Sequence, residues 1–241
     1  MQIVYNSLAR ANEKSLSLND CLESGPPLQN LMWSVLIQNR FKSVALVGDM
    51  KQVFLQIRIR EEHQDSLRFH WIKNKDPSQL QVYRFTRTLF GLVESPSLLG
   101  GTIEMHLDAW KETYPDATEE IQRSLYIDDV NTGMNTVEET KKLMETTVDV
   151  FKDAQFPLHK WHSNATELET ISTSDEQQQT FAKEQLVVKN DETKLLGLKR
   201  NESLDTLKVT FPDITAEKIK RGILRHLASI FDPLGFASPI T

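Results

Sequence analysis

The stretch Leu125-Tyr126-Ile127-Asp128-Asp129-Val130-Asn131 decides the fold. A short apolar run meets two adjacent carboxylates, and an apolar residue follows, which is the pattern of a β-hairpin with Asp128 and Asp129 at its tip. No Lys or Arg adjoins the pair in the chain. Adjacent like charges repel, so a partly buried pair needs a cation, and Mg²⁺ is a hard ion that prefers carboxylate oxygens. Asp-Asp is also common in solvated turns, so the reading needs support from elsewhere.

That support lies upstream. Val44-Ala45-Leu46-Val47 is a continuous apolar run bounded by Gly48, consistent with a buried strand. It delivers Asp49 at its C-terminal end. If this strand neighbours the hairpin in one sheet, three carboxylates converge, and such a cluster can hold two metal ions ~4 Å apart. Strand ends suit the task because rigid backbone fixes the carboxylates.

The composition allows this. The 241 residues fit one large domain or two packed subdomains, and 39% are hydrophobic, including 11 Phe and 4 Trp. One cysteine, Cys21, excludes an internal disulfide and points to a reducing compartment. No apolar run approaches the ~18 residues of a membrane span, and no leader peptide is visible, so a cytoplasmic, non-secreted protein is expected. The net charge of −6 is unlike a basic nucleic-acid binder, but its distribution is uneven. Residues 1–60 carry 7 Lys and Arg against 4 Asp and Glu, whereas residues 111–160 carry 6 against 11. Basic clusters recur at Lys199-Arg200 and across Lys218, Lys220, Arg221 and Arg225.

Along the chain, Gly25-Pro26-Pro27 closes an irregular start. Helical spacing covers residues 29–41, and alternation from Phe54 to Arg60 predicts a half-buried strand. Leu67–Ile72 and Gln81–Phe85 read as a strand pair. A helix runs from Ser95-Pro96 to Trp110, followed by an acidic loop and the hairpin. Thr136-Val137-Glu138-Glu139 fits a capping box opening a helix that ends before Pro157. Residues 163–180 read as a loose loop. Leu195–Leu198 and Thr206–Phe211 suggest short strands, Thr215–Phe231 a basic amphipathic helix, and Asp232–Gly235 a turn. Helices mixed with antiparallel strands give an α+β fold.

The ordered set Asp49-x-x-x-x-Phe54, Phe90-Gly91 with Ser95-Pro96, Tyr126-Ile127-Asp128-Asp129, Leu158-His159-Lys160-Trp161 and Leu196-Gly197 resembles the reverse transcriptases of retroelements. The closest likeness is to the BEL/Pao class of long-terminal-repeat retrotransposons. Ser17-Leu18-Asn19-Asp20 with Gly25-Pro26 resembles that class at one end; Leu196-Gly197-Leu198-Lys199 and Phe231-Asp232-Pro233-Leu234-Gly235-Phe236 resemble it at the other. The resemblance implies a right-hand polymerase fold: N-terminally truncated fingers and palm over residues 1–200, and a thumb-like segment over 201–241. It implies RNA or DNA template-primer and deoxynucleoside triphosphates as partners, two Mg²⁺ (or Mn²⁺) as cofactors, and a cytoplasmic virus-like particle in an intact element. The protease, ribonuclease H and integrase of such a polyprotein are not expected within this chain.

Carried over by residue, the resemblance implies that Asp49 and Asp128 are the main metal ligands, with Asp129 supporting and Met50 offering a backbone carbonyl. Phe54 is implied as the gate against a ribose 2′-OH, though an ordinary core Phe is the plain alternative. Phe90 and Gly91 lie under the incoming nucleotide in this scheme, and Gly91 permits close backbone approach. Tyr126 lies near the primer terminus, and Lys160 protonates the leaving pyrophosphate, where a surface lysine is the alternative. Leu196-Gly197 contribute to the primer grip. Lys218 and Arg221 belong to a helix that contacts the duplex backbone.

Several positions depart from the pattern: Leu89 replaces a proline, Gln2 and Asn6 replace an Arg and an Asp, and Arg200 replaces a Trp. These keep open a decayed remnant that retains the fold and at most binds nucleic acid. Another metal-dependent phosphoryl-transfer enzyme, such as a nuclease, is a third reading. His159 and His162 lack further zinc ligands in sequence. Asn131-Thr132-Gly133 lacks the leading Asp of an aspartic protease.

Overall fold

The computed structural model describes residues 5–73, 76, 78–169, 192–201, 206–212 and 219–236. The chain forms two compact units from discontinuous stretches. One comprises Met1–Gln29, Met50–Gln122 and Val148–Pro157; the other comprises Asn30–Asp49, Arg123–Thr147 and Leu158–Thr241.

The second unit is built on a four-stranded sheet in the order β4-β5-β1-β6. Strand β1 spans Val44–Met50, β4 Leu125–Tyr126, β5 Asp129–Met134 and β6 Leu158–Ser163. Strands β1 and β5 pair antiparallel from Val44↔Met134 to Asp49↔Asp129. Strands β4 and β5 form the hairpin, Tyr126 opposite Asp129, so that only Ile127 and Asp128 make the loop. Ile127 has φ 57°, a left-handed conformation that its branched Cβ opposes. Strand β6 runs along the other edge of β1. The Ser163 hydroxyl donates to the Ala45 carbonyl (2.8 Å), and the Asn164 side chain accepts from Ala45 N–H (2.8 Å) and donates to the Ser43 carbonyl (3.0 Å). Gly48 is required here by space: a Cβ on it would lie 2.6 Å from the Trp161 ring.

Helix α1 (Met32–Arg40) buries Val35, Leu36 and Asn39. The Asn39 amide donates to the Thr132 carbonyl (3.2 Å), fixing α1 to β5. Leu36 joins Leu195 and Leu198 in a core cluster that Val47 extends. Those leucines come from a three-stranded sheet of β7 (Glu192–Leu195), β8 (Leu198–Asn201) and β9 (Thr206–Lys208). Leu195–Leu198, expected as one strand, is shared between two: Leu195 ends β7, Leu198 opens β8, and Leu196-Gly197 turn between them. Leu196 and Gly197 both take positive φ (45° and 87°), as a primed hairpin turn requires. The Phe231 ring covers Gly197 closely enough that a Cβ would meet it at 2.8 Å.

In the first unit, β2 (Arg68–Ile72) and β3 (Leu80–Arg84) pair antiparallel with Arg68 opposite Arg84. Asp65 bridges these like charges, at 2.8 Å from Arg68 and 3.1 Å from Arg84. Helix α2 (Ser95–Trp110) carries Pro96 in its first turn and buries Leu99, Ile103 and Leu107 on one stripe. Leu89, where the resemblance has proline, fills a cluster with Leu67 and Leu92.

Further expectations fail. Phe54–Arg60 is not a strand: Gln52 turns left-handed (φ 52°), Val53–Gln56 is a 3-10 turn, and only an isolated bridge joins Arg58 to Arg87. The acidic loop is largely a helix, α3 (Pro115–Ser124), which buries Thr118, Glu120, Ile121 and Ser124. Helix α4 (Val137–Asp153) begins as read, with Glu139 N–H donating to the Thr136 hydroxyl at 3.2 Å. The segment read as a loose loop opens with a short helix, α5 (Thr166–Glu169), and its remainder lies outside the described residues. Within the expected 215–231 helix the described part is α6 (Lys220–Ala228), none of whose residues is buried. No helix among the described residues is long and apolar enough to cross a membrane.

Candidate active site

The register of β1 against β5 makes Asp49 and Asp129 direct partners. Directly opposed residues project from the same face of an antiparallel pair. Asp128 precedes them in the two-residue loop, so three carboxylates share one end of the sheet. Burial raises the Asp128 carboxyl above its usual range, and the charge of Asp49 adds to this. Asp129 is pushed up to about 6, first by burial, then by the charges of Asp128 and Asp49, with Lys160 acting in the opposite sense. The resistance to ionisation comes from desolvation and mutual repulsion.

Two basic side chains of β6 stand beside Asp49. Lys160 adopts φ 52°, a left-handed kink within the strand. Its Nζ lies 3.6 Å from Asp49 Oδ2. His159 lies beside the same residue, its Nδ1 2.8 Å from the Asp49 carbonyl and its Nε2 3.8 Å from Oδ2. A carbonyl can only accept, so Nδ1 carries the proton of that bond. No role for His159 is expected from the sequence; the available signal is its position directly before Lys160.

The donor chemistry fits a hard divalent cation: three carboxylates, partly desolvated and mutually repelling, at rigid strand ends. Among the described residues no group of three or more His, Cys, Asp or Glu is arranged to hold a metal ion. Asp49 faces Lys160 and His159 instead.

The remaining expected residues are placed as follows. Met50 ends β1 and is 1% exposed. Tyr126 is half-buried opposite Asp129. In the first unit, Phe54 is 5% exposed and packs edge-on against Phe90 at 4.7 Å, while Phe90 itself is 53% exposed. Gly91 has φ 86°, and its carbonyl accepts from the Ser7 hydroxyl (2.5 Å) and the Asn19 amide (2.8 Å). Asn19 also accepts from Val93 N–H (3.1 Å). The Ser17–Asp20 phrase thus acquires a physical role, because Asn19 fastens the loop that presents Phe90. Arg200 takes a buried position on β8, 2% exposed. Arg221 is exposed on α6, and Lys218 lies outside the described residues.

An α+β fold with carboxylates gathered at the ends of adjacent antiparallel strands is a frame suited to phosphoryl-transfer chemistry. Residues 6–199 match the family model described as reverse transcriptase (RNA-dependent DNA polymerase), and the chain belongs to that family. Its members act on a nucleic-acid template-primer and on nucleotides. The matched span includes every candidate residue from Asp49 to Gly197 and stops before α6. No curated protein matches the chain.

Proposed function

We propose that the chain is the RNA-directed DNA polymerase domain of a BEL/Pao-type retrotransposon, using RNA or DNA template-primer and deoxynucleoside triphosphates. The observation that carries this reading is the pairing of Asp49 with Asp129 beside Asp128, in a chain of the reverse transcriptase family. The four-stranded sheet serves as the palm. The β2–β3 region belongs to truncated fingers, and residues 201–241 begin a thumb. In an intact element the domain works inside a cytoplasmic particle.

The primer 3′-hydroxyl attacks the α-phosphate of the incoming triphosphate and pyrophosphate leaves. Asp49, Asp128 and Asp129 would hold two Mg²⁺ ions, or Mn²⁺ in their place, with the Met50 carbonyl beside them. Bound there, the ions lower the pKa of the attacking hydroxyl and stabilise the leaving oxygens. Lys160 donates a proton to the departing pyrophosphate. Phe54 excludes a ribose 2′-hydroxyl by clash. Phe90 and Gly91 lie under the incoming nucleotide, Tyr126 near the primer terminus and Leu196-Gly197 along the primer. Lys218 and Arg221 contact duplex phosphates.

Primer extension on an RNA template with Mg²⁺ tests the reading. The parent chain extends the primer, and Asp128→Asn reduces the rate by about three orders of magnitude or more, the scale of losing a group that stabilises the transition state. No extension by the parent chain defeats the reading, and extension indifferent to Asp128→Asn defeats the mechanism.

A further inference from the structure

The basic side chains around Asp49 have a use beyond catalysis. Lys160 Nζ stands 3.6 Å from Asp49 Oδ2, and His159 brackets the same aspartate from its carbonyl to its carboxylate. Lys160 reaches this position from a left-handed backbone (φ 52°), a conformation unfavourable to a lysine and of the kind that persists where a side chain must be aimed. Asp129, across the strand pair, has like charges as its chief electrostatic neighbours, with Lys160 the opposing influence.

We infer that Lys160, beside an Asp49 whose carbonyl His159 holds, is a built-in counter-cation for Asp49, and that a divalent cation and the Lys160 ammonium compete for the same carboxylate. The inference rests on reading the three aspartates as a divalent-cation site. The exchange moves no proton and breaks no covalent bond. Lys160 leaves as an ammonium and Asp49 remains a carboxylate, so the released lysine is already in the form needed to donate a proton to a leaving phosphate. Entry of the cation and arming of the lysine thereby become one event. The cluster also keeps a compensating charge when no divalent cation is present, which limits the repulsion among the aspartates.

Isothermal titration of the whole chain with MnCl₂, without nucleotide or primer, tests this. Removing a partly exposed ion pair and a nearby repelling charge lowers the Kd about three- to tenfold. Lys160→Met therefore binds Mn²⁺ more tightly than the parent, and Lys160→Arg, which keeps the charge, stays near the parent. Lys160→Asn is the second variant, because Asn tolerates the left-handed backbone and is neutral; it also binds more tightly. Lys51→Met, two residues from Asp49 in the chain, controls for the loss of one positive charge from the protein and changes the Kd less than Lys160→Met. Equal or weaker binding by both Lys160→Met and Lys160→Asn overturns the inference, as does an equal gain in Lys51→Met. Asp49→Asn separates the two claims. If it leaves Mn²⁺ binding unchanged, the cation-site reading fails; if it weakens binding while the Lys160 variants match the parent, only the competition fails.

Discussion

Asp129 stands directly across the strand pair from Asp49, one residue later than Asp128, which the resemblance puts forward as a principal ligand. The tightness of the hairpin is the reason. With Tyr126 paired to Asp129, Ile127 and Asp128 are the entire loop, and the first strand position after the turn is an aspartate. Two carboxylates thus oppose each other on one face while a third crowds them from the turn.

That crowding sets a pH dependence. The Asp129 carboxyl is pushed up to about 6, above its unfolded value near 3.8. A group that holds its proton more tightly when folded stabilises the fold as pH falls through 6 toward 4, and this contribution is lost as pH rises through 6. Without divalent cations, the gain in stability from pH 7 to pH 5 is larger in the parent than in Asp129→Asn, by about 1 kcal/mol once solvent screening is allowed for. Urea titrations at the two pH values measure it, and identical pH dependence in both proteins would refute it.

Ile127 holds a left-handed conformation that costs a branched residue roughly 1–2 kcal/mol. Ile127→Gly relieves the strain and gives up some buried apolar surface, for a net stabilisation of about 0.5 kcal/mol. A lower urea midpoint than the parent would show that the hairpin is not strained there.

Gly48→Ala places a methyl 2.6 Å from the Trp161 ring. Such overpacking costs about 1–3 kcal/mol. Trp161→Leu opens the space at its own cost, since Trp161 is only 8% exposed. In the double variant the losses are less than additive, and a denaturation cycle showing simple additivity would contradict the contact.

Phe54→Val tests the gate. The ring is nearly buried and meets Phe90 edge-on, so its loss costs stability, part of it the ~1 kcal/mol of an aromatic pair. The same change raises incorporation of ribonucleotides relative to deoxynucleotides at least tenfold in primer extension. A loss of stability with unchanged sugar selection would leave Phe54 a core residue only.

The sheet was readable because its signals are local. Apolar runs in β1 and the hairpin end in carboxylates, and both facts survive without tertiary context. Helix α3 was not readable, because it buries Thr118, Glu120 and Ser124 along with Ile121, so no apolar stripe marks it. The Phe54–Arg60 alternation misled because Gln52 reverses the backbone before the pattern begins. Within the site, the aspartates could be named from their place at strand ends, and Lys160 only through the resemblance. His159 and Asn19 could not, since each acts on a backbone carbonyl distant in sequence, at Asp49 and Gly91.

Strand β1 is fastened unequally along its length. At Ser43 and Ala45, Ser163 and Asn164 extend the pairing with side-chain hydrogen bonds, as if the ladder continued past its last rung. At the far end the hold is on the backbone itself: Asp49 pairs with Asp129 across β5, and its carbonyl accepts from the His159 ring. With the main chain fastened at both ends, what remains to Asp49 is rotation about its own side-chain bonds. A change of partner at that carboxylate is therefore a rotamer step above a sheet that keeps its register.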